Sequence, residues 1–270
     1  VVGSALCKNP DVHAITLTGS TEVGIETARS AADHLAHIAL ELGGNDAFLL
    51  LEDGDVDLAV EEMIWGRMYN TGQVCCASKR FLIHNSRKEE FTTKAIARIK
   101  QLIQGSPADE STQIGCLISE KAAIKVAEQI AHTVEQGGKI LLGGERKGAF
   151  IEPTVIGDVP KTADVALDME IFGPVVPIIG FDTTEEAIAI ANSSKFGLCG
   201  CVFSSNIKTA WNVANALECG GTVINGASFF RSFEMPFGGY KYSGIGTEGV
   251  ASTFDEVTRL KTIVLKNILA

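Results

Sequence analysis

The chain carries two hydrophobic periodicities, and short turns rich in glycine and polar residues separate the segments that show them. Residues 12–18 alternate between apolar and polar side chains, which predicts a strand. Apolar side chains recur at helical spacing through residues 56–69, which predicts a helix. By the same criteria we expect further strands at 37–42, 48–51, 80–84, 139–142, 175–181, 198–203 and 222–225, and further helices at 25–33, 86–103, 120–134, 184–191 and 206–217.

Strands and helices that alternate in this way indicate an α/β fold. Two segments depart from the alternation. Residues 226–246 form a long loop rich in aromatic side chains, and loops of this length in a compact domain tend to be functional. Residues 262–266 alternate again near the end of the chain, which predicts an edge strand suited to pairing with another subunit.

Composition narrows the classes of function. The formal net charge is -10, and because an acidic surface repels phosphate backbones, we expect no nucleic acid partner. No apolar run approaches the roughly 18 residues of a membrane span, and no signal peptide is recognisable, so we expect no membrane association. Seven cysteines without regular spacing do not indicate a disulfide framework or a zinc site, so we expect a reducing, cytoplasmic location and no metal.

A pair of cysteines is the first candidate for chemistry. Cys75 and Cys76 follow a Gly-Gln-Val sequence and precede a basic pair, at the junction between a predicted helix and a predicted strand. At such a junction, backbone N–H groups and cationic side chains can lower the pKa of a thiol enough to make it a nucleophile. The alternative is that both cysteines are small buried core residues, and the segment by itself leaves that alternative open.

Glu41 is the second candidate. It ends an apolar strand and is followed by Leu42 and then by Gly43 and Gly44, which allow another part of the backbone to approach closely. Burial at that position would raise the pKa of the carboxyl group and make it a general base. A strand-end glutamate that faces water is the alternative.

Two further segments have the composition of cofactor contacts. Gly19 leads from a predicted strand to a predicted helix, and Ser20 or Thr21 can cap a helix start whose free N–H groups favour an anion; an ordinary turn between strand and helix is the alternative. Glu170 and Phe172 precede a Gly-Pro turn, where the carboxylate could bind a ribose diol and the phenyl ring could pack on a flat ring. A capped turn with a core phenylalanine is the alternative there.

Five motifs, in this order along the chain, closely resemble those of the aldehyde dehydrogenase superfamily. The separation of 34 residues between Glu41 and Cys75 also agrees with that family. The motifs resemble, in turn, the family's cofactor, glutamate, nucleophile, cofactor-ribose and C-terminal signatures, and they lie at 17–24, 41–45, 72–75, 170–174 and 236–244.

This resemblance implies a domain organisation. Residues 44–247 would form an aldehyde dehydrogenase-like catalytic domain, with a mostly parallel sheet flanked by helices. Residues 1–43 would be the last part of a Rossmann-like cofactor domain, and residues 248–270 a tail with an oligomerisation strand. The family's N-terminal segment, comparable in size to this chain, would be missing, and a chain that opens at Val1 in the middle of an α/β pattern agrees with that.

The resemblance also assigns roles to residues. Cys75 would be the nucleophile, Glu41 would activate the water that hydrolyses a thioester on Cys75, and Cys76 would only fill space. The cofactor would be NAD or NADP, the substrate a small-molecule aldehyde, and the assembly a homodimer or homotetramer. A non-catalytic truncated module that keeps the fold and the subunit-association strand is the alternative function. The residues that would contact the cofactor are Gly19, Ser20, Gly24, Leu42, Gly43, Glu170 and Phe172.

The substrate class rests on the loop at 228–236, which is similar to that of members acting on lactaldehyde, succinate semialdehyde or glyceraldehyde 3-phosphate. We hypothesise that Arg231 holds an anionic or hydroxylated tail of the aldehyde, with Phe237 also at the substrate. An arginine that only structures its own loop is the alternative. Val74 stands where glyceraldehyde-phosphate members often have a basic residue, which weakens the phosphate-sugar option.

Overall fold

The computed structural model describes residues 2–267, in which helices and strands alternate as the sequence predicts. None of the helices in this range is both long and apolar enough to cross a membrane. The helices are α1 Val2–Cys7, α2 Thr21–Ala32, α3 Val56–Met68, α4 Asn85–Ile99, α5 Glu120–Glu135, α6 Thr184–Asn192, α7 Ile207–Ala216 and α8 Val250–Val257. The strands are β1 Ala14–Thr18, β2 His37–Glu41, β3 Asp46–Leu50, β4 Ser78–His84, β5 Lys139–Leu142, β6 Arg146–Lys147, β7 Phe150–Ile151, β8 Thr154–Gly157, β9 Val175–Phe181, β10 Phe196–Gly197, β11 Cys199–Phe203, β12 Gly221–Ile224, β13 Tyr240–Lys241 and β14 Gly244–Ile245.

Some bounds differ from the sequence predictions; α4, for example, ends at Ile99 rather than at residue 103. Helix α2 includes residues 21–24 as well as the predicted helical segment from residue 25, because the Ser20 hydroxyl, one of the two predicted caps, accepts the N–H of Val23 at 3.4 Å. The strand predicted at 262–266 is not formed within this single chain, and its pairing with another subunit stays a prediction. Residues 258–266 have no regular secondary structure and are exposed, since no other segment within residues 2–267 supplies the backbone hydrogen bonds that a strand needs.

Seven strands form the central sheet in the order β12-β11-β3-β4-β9-β8-β5. Neighbouring strands are parallel except β5 and β8, which are antiparallel. Strands β3 and β11 are buried along their whole length, as expected for a parallel sheet covered on both faces. The fold is therefore α/β with a mostly parallel sheet, as predicted.

Consecutive residues of β3 point to opposite faces of this sheet and enter two separate cores. Leu49 belongs to a core shared with α5, α6 and α7, whereas Phe48 belongs to a core shared with α3 and α4. The Phe48 ring lies 5.0 Å from that of Phe81 and 4.6 Å from that of Phe203, measured between centroids. Helices therefore flank both faces of the sheet, and the loops that precede β3, β4 and β9 meet at its amino-terminal edge.

Strands β1, β2 and β14 form a second, smaller sheet. Strands β1 and β2 are parallel, and β14 returns from late in the chain to pair antiparallel with β2, so that Gly244 lies opposite Glu41. The N–H of Leu42 continues this pairing by donating to the carbonyl of Ser243 at 2.9 Å. Only residues 42–45 separate β2 from β3, so the small sheet delivers Glu41 to the edge of the central sheet. The division into domains near residues 43 and 247 stays a prediction.

Candidate active site

The segment before Cys75 is a sharp reversal of the chain at the end of α3. Asn70, Thr71 and Gly72 all have left-handed backbone angles, with φ of 48°, 58° and 75°. A side chain at Gly72 would place its Cβ 2.3 Å from the carbonyl oxygen of Gly173, so only glycine fits. The tight contact presses the nucleophile motif against the segment that carries Glu170 and Phe172, two motifs that lie far apart in the sequence.

Cys75 is a half-buried thiol with an acidic character. Its pKa is lowered to about 6, first by a hydrogen bond from the Cys76 thiol and then by the positive charge of Lys79, while burial acts in the opposite direction. The pKa of Cys76 is raised because its thiol donates a hydrogen bond to Cys75 and because the Cys76 side chain is buried. Cys76 is buried, and its hydrogen bond stabilises the thiolate of Cys75, which is the nucleophilic form of a thiol.

Lys79 is the first residue of the basic pair that follows the cysteines. Its side chain is 1% exposed, and its ammonium group donates to the carbonyl oxygens of Cys75 at 2.5 Å and Val74 at 3.1 Å. It also forms an ion pair with Oε1 of Glu170 at 3.3 Å. The sequence predicts a cation near the thiol, but not its complete burial, because basic pairs usually lie in solvent.

Glu41 is buried, which rules out the alternative of a strand-end glutamate facing water. Within residues 2–267 its Oε2 atom has no hydrogen-bond partner. The pKa of Glu41 is raised to about 8, first by burial and then by the negative charges of Glu248 and Cys75, against a smaller lowering by Arg231. Glu41 and Cys75 therefore lie close enough to influence each other electrostatically, and Glu41 can take up and release a proton near neutral pH.

Glu170 and Phe172 form a surface next to the nucleophile. Oε1 of Glu170 accepts the N–H of Gly44 at 3.2 Å, and Oε2 lies over Gly43, where a Cβ atom would be 2.6 Å away. Phe172 is 43% exposed, so it is not the core phenylalanine of the alternative interpretation. A carboxylate with one oxygen lying over a glycine, beside an exposed phenyl ring, fits the diol and the flat ring of a nicotinamide riboside.

The residues around the start of α2 separate into two groups. Gly19 and Ser20 are exposed at the amino end of this helix, where free N–H groups favour an anion. Gly24 and Leu42 are buried against each other, because a Cβ on Gly24 would lie 2.5 Å from a methyl carbon of Leu42. The first two residues thus remain candidates for cofactor phosphate, and the other two pack the helix onto β2.

Arg231 and Phe237 lie near Cys75, since Phe237 belongs to the same apolar cluster as Cys75. The Arg231 guanidinium lies 4.0 Å above the centre of the Phe237 ring and forms an ion pair with Glu248 at 2.9 Å. Phe237 and Glu248 also exchange two backbone hydrogen bonds of 2.8 and 2.7 Å. These contacts agree with an arginine that structures its own loop. The side chain is nevertheless 36% exposed, and its charge reaches Glu41, so a ligand could still contact it.

Arg80 links the segments that surround the site, a role that no motif in the sequence indicates. It is 2% exposed, and its guanidinium donates to four backbone carbonyl oxygens. Those carbonyl groups belong to Asn45, Ala166, Ile190 and Ala191, at 2.6, 3.2, 2.9 and 2.8 Å. The pKa of Arg80 is lowered by burial to about 10, so it remains charged at neutral pH.

Comparison with known proteins gives consistent matches over nearly all of the chain. A family model described as "Aldehyde dehydrogenase family" matches residues 1–263. A lactaldehyde dehydrogenase of Methanococcus maripaludis is 40% identical over 268 residues, which are 99% of this chain and 57% of that protein. A succinate-semialdehyde dehydrogenase [NADP(+)] of Saccharomyces cerevisiae is 36% identical over 271 residues, which are 99% of this chain and 54% of that protein.

Solved structures agree with these sequence matches. The glyceraldehyde-3-phosphate dehydrogenase GapN from Methanocaldococcus jannaschii, complexed with NADP, superposes with a TM-score of 0.94 at 38% identity, covering 99% of this chain and 57% of that one. A betaine aldehyde dehydrogenase from Staphylococcus aureus in complex with NAD+ superposes with a TM-score of 0.89 at 37% identity, covering 94% and 52%. The chain thus spans little more than half the length of the proteins that it matches.

Proposed function

Because the chain belongs to the aldehyde dehydrogenase family, we propose that the protein oxidises an aldehyde to a carboxylic acid with NAD(P)+. The observation that carries this proposal is the pairing of an acidic thiol, Cys75, with a buried carboxyl group, Glu41, at one edge of the sheet. Attack on the aldehyde needs the thiol of Cys75, and hydrolysis of the resulting thioester needs the carboxyl group of Glu41.

The reaction follows from these two groups. The Cys75 thiolate attacks the carbonyl carbon of the aldehyde, a carbon–sulfur bond forms, and the oxygen becomes an oxyanion that the backbone N–H of Cys75 can stabilise. Bound NAD(P)+ supplies the hydride acceptor. Loss of hydride from the thiohemiacetal carbon leaves a thioester on Cys75. Glu41 then takes a proton from water, the water oxygen attacks the thioester carbon, and the carbon–sulfur bond breaks to give the acid and the Cys75 thiolate.

Residues at two positions would hold the cofactor. Glu170 and Phe172 would receive the nicotinamide ribose and ring, while Gly19 and Ser20 at the start of α2 would receive the pyrophosphate. Gly43 supports the first position because its lack of a side chain leaves room beside the Glu170 carboxylate. Either NAD or NADP is compatible with this arrangement.

The substrate that we propose is a small aldehyde with an anionic or hydroxylated tail. Arg231 supports this choice because it presents a partly exposed positive charge next to Glu41. The relatives named for lactaldehyde and succinate semialdehyde support it too. The measurement is kcat/KM for succinate semialdehyde, lactaldehyde and a plain aliphatic aldehyde. Equal values, unchanged by Arg231→Ala, would contradict the assignment.

Single-turnover kinetics of the intact protein test the mechanism. Cys75→Ala should give no rapid NAD(P)H formation with an excess of aldehyde, because no thiohemiacetal can form. Glu41→Gln should give a burst of about one NAD(P)H per site and then little turnover, because hydride transfer proceeds but hydrolysis does not.

Cys219→Ala, outside the site, is the matched control and should behave as the wild type. A full burst from Cys75→Ala would sink the proposed function, and the same assay on residues 1–270 alone decides whether this part is a non-catalytic module.

Assembly and location complete the proposal. We propose a homodimer or homotetramer in the cytoplasm, in which the exposed apolar residues at 262–266 form a strand only when another subunit offers an edge. Static light scattering of the intact protein measures the mass of this assembly directly, and a monomer at micromolar concentration would contradict it.

A further inference from the structure

Lys79 makes contacts that are unusual for a lysine next to a catalytic thiol. Its ammonium group donates to three backbone carbonyl oxygens of residues 74–77, which form the nucleophile segment around Cys75. These are the carbonyl oxygens of Val74, Cys75 and Ala77, at 3.1, 2.5 and 3.4 Å. On its other side the ammonium group forms an ion pair with Glu170 at 3.3 Å and lies 5.9 Å from the centre of the Phe172 ring. One buried cation therefore touches both the nucleophile segment and the two residues assigned to the nicotinamide ribose and ring.

Burial of the Lys79 ammonium group is costly unless its charge and its N–H bonds are compensated. An ammonium group taken out of water needs acceptors for each of its three N–H bonds and a nearby negative charge. Glu170 is the one carboxylate within ion-pair distance of Lys79 in residues 2–267. Asp46 lies near too, but burial raises its pKa to about 8, so it is largely uncharged at pH 7. The charge of Lys79 is thus balanced by the same carboxylate that is placed to receive a diol.

We propose that Lys79 is a positioning residue that couples Glu170 to Cys75, so that a change in the interactions of Glu170 alters the reactivity of the Cys75 thiol. This inference rests on the function proposed above, since it gives Glu170 the role of diol ligand. It adds a residue and a route of communication for which the five motifs provide no role.

The direction of the effect follows from the charges. Lys79 stabilises the thiolate of Cys75, whereas Glu170 destabilises it. A ligand that draws the Glu170 carboxylate away leaves the charge of Lys79 less compensated, so that the thiolate is favoured. The other titratable groups that face Cys75 come from its own segment, from β2, from β3 and from β11, and they are Cys76, Glu41, Asp46 and Cys199. Glu170 also acts on Cys75 directly through its charge, so the part of the effect that runs through Lys79 is the part that requires Lys79 to be present.

The pH dependence of alkylation of Cys75 by iodoacetamide, followed by peptide mass mapping on the intact protein, tests this coupling. Lys79→Met should move the half-point of the alkylation profile upward by about one pH unit or more, with a rate at pH 6 about tenfold lower. Glu170→Gln should move the half-point downward. If the coupling runs through Lys79, Glu170→Gln should move the half-point less in the Lys79→Met background than in the wild-type protein, and equal shifts in the two backgrounds would overturn the proposal. Lys79→Arg should retain most of the wild-type half-point, since it keeps the charge.

Lys94→Met is the matched control, because Lys94 forms ion pairs with Asp57 and Glu90 on the surface and should leave the half-point unchanged. If Lys79→Met does not fold, Glu170→Gln still decides the test. Gln has the same shape as Glu, and the Glu170 side chain is partly exposed, at 22%, so this substitution should not disturb the fold. Unchanged half-points in both Lys79→Met and Glu170→Gln, or in Glu170→Gln alone, would overturn the proposal. Alkylation needs neither aldehyde nor cofactor, so this outcome is independent of whether the protein oxidises aldehydes.

Discussion

At the scale of single residues, the reactivity of the site depends on charges contributed by distant parts of the chain. The pKa of Glu41 responds to Glu248 and Arg231, which reach it from the segment that surrounds β14. Glu248 and Arg231 also pair with each other, so a substitution of either one changes the field at Glu41. The two substitutions should therefore have opposite effects on the proton affinity of this carboxyl group.

The decay of the acyl-enzyme with pH measures those effects. Glu41 acts as a base only when ionised, so hydrolysis should accelerate as pH rises through about 8 and level off above it. Glu248→Gln removes a negative charge and should move the midpoint down, whereas Arg231→Ala removes a positive charge and should move it up, each by up to about one unit. Rapid-quench measurement of the acyl-enzyme gives the midpoints. Shifts in the same direction would contradict this account of the site.

Local motifs mark Cys75 and Glu41 as candidates, but no motif marks their surroundings. The sequence predicts cations beside Cys75 from the basic pair Lys79 and Arg80, but it does not predict that both are buried. Their acceptors are backbone carbonyl groups, which every residue carries and which leave no mark in a sequence. The sequence assigns Arg231 to a long aromatic loop. Its stacking on Phe237 depends on the conformation of that loop, which has no regular pattern of apolar residues.

At the scale of elements, the pattern of apolar residues located the helices and the buried strands well. Each of these elements packs against a core in a regular way, either along one face or along its whole length. The pattern failed for strands whose existence depends on a distant partner. β14 is two residues long and is defined only by its pairing with β2, and the segment at 262–266 has strand periodicity without a partner in this chain. The left-handed turn at residues 70–72 was also unforeseen, since only one of its three residues is a glycine.

That turn gives a prediction about stability. Gly72→Ala should be strongly destabilising, because the added Cβ would lie 2.3 Å from a backbone oxygen in addition to the strain of a positive φ. Gly148→Ala is the matched control, with a φ of 60° and no atom within 4 Å of the added Cβ, and should lose only about 1–2 kcal/mol from backbone strain. Urea denaturation compares the two. Equal losses would mean that the contact with Gly173 does not constrain the turn.

At the scale of the whole molecule, buried arginines tie together segments that lie far apart in the sequence. On the face of the central sheet that carries α6, Arg80 joins the start of β3 to the end of α6 and to the turn at 164–166. Arg67 makes a similar link, donating to the carbonyl oxygens of Val175 at 2.7 Å and Ile171 at 2.8 Å. Polar connections of this kind fix the relative positions of segments more strictly than apolar packing does.

Loss of one such connection should be costly. Arg80→Met removes the hydrogen bonds to four buried carbonyl groups, of which that of Ile190 also accepts a hydrogen bond from the Ser193 hydroxyl, and should lower the free energy of unfolding by about 3 kcal/mol. Arg87→Met removes an exposed arginine that donates to the carbonyl of Glu52 at 2.6 Å, and should change it by about 1 kcal/mol or less. Chemical denaturation of both variants gives the comparison. A small loss in Arg80→Met would show that water replaces its hydrogen bonds.

The pairing of β2 with β14 has a consequence for biosynthesis. Glu41 is synthesised before the strands of the central sheet, whereas β14, which holds the Glu41 backbone in place, is synthesised after all of them. A nascent chain can therefore complete much of the central sheet before the segment around Gly244 is available, and closing so long a loop is slow. The backbone that carries Glu41 should thus be fixed later than the segment that carries Cys75.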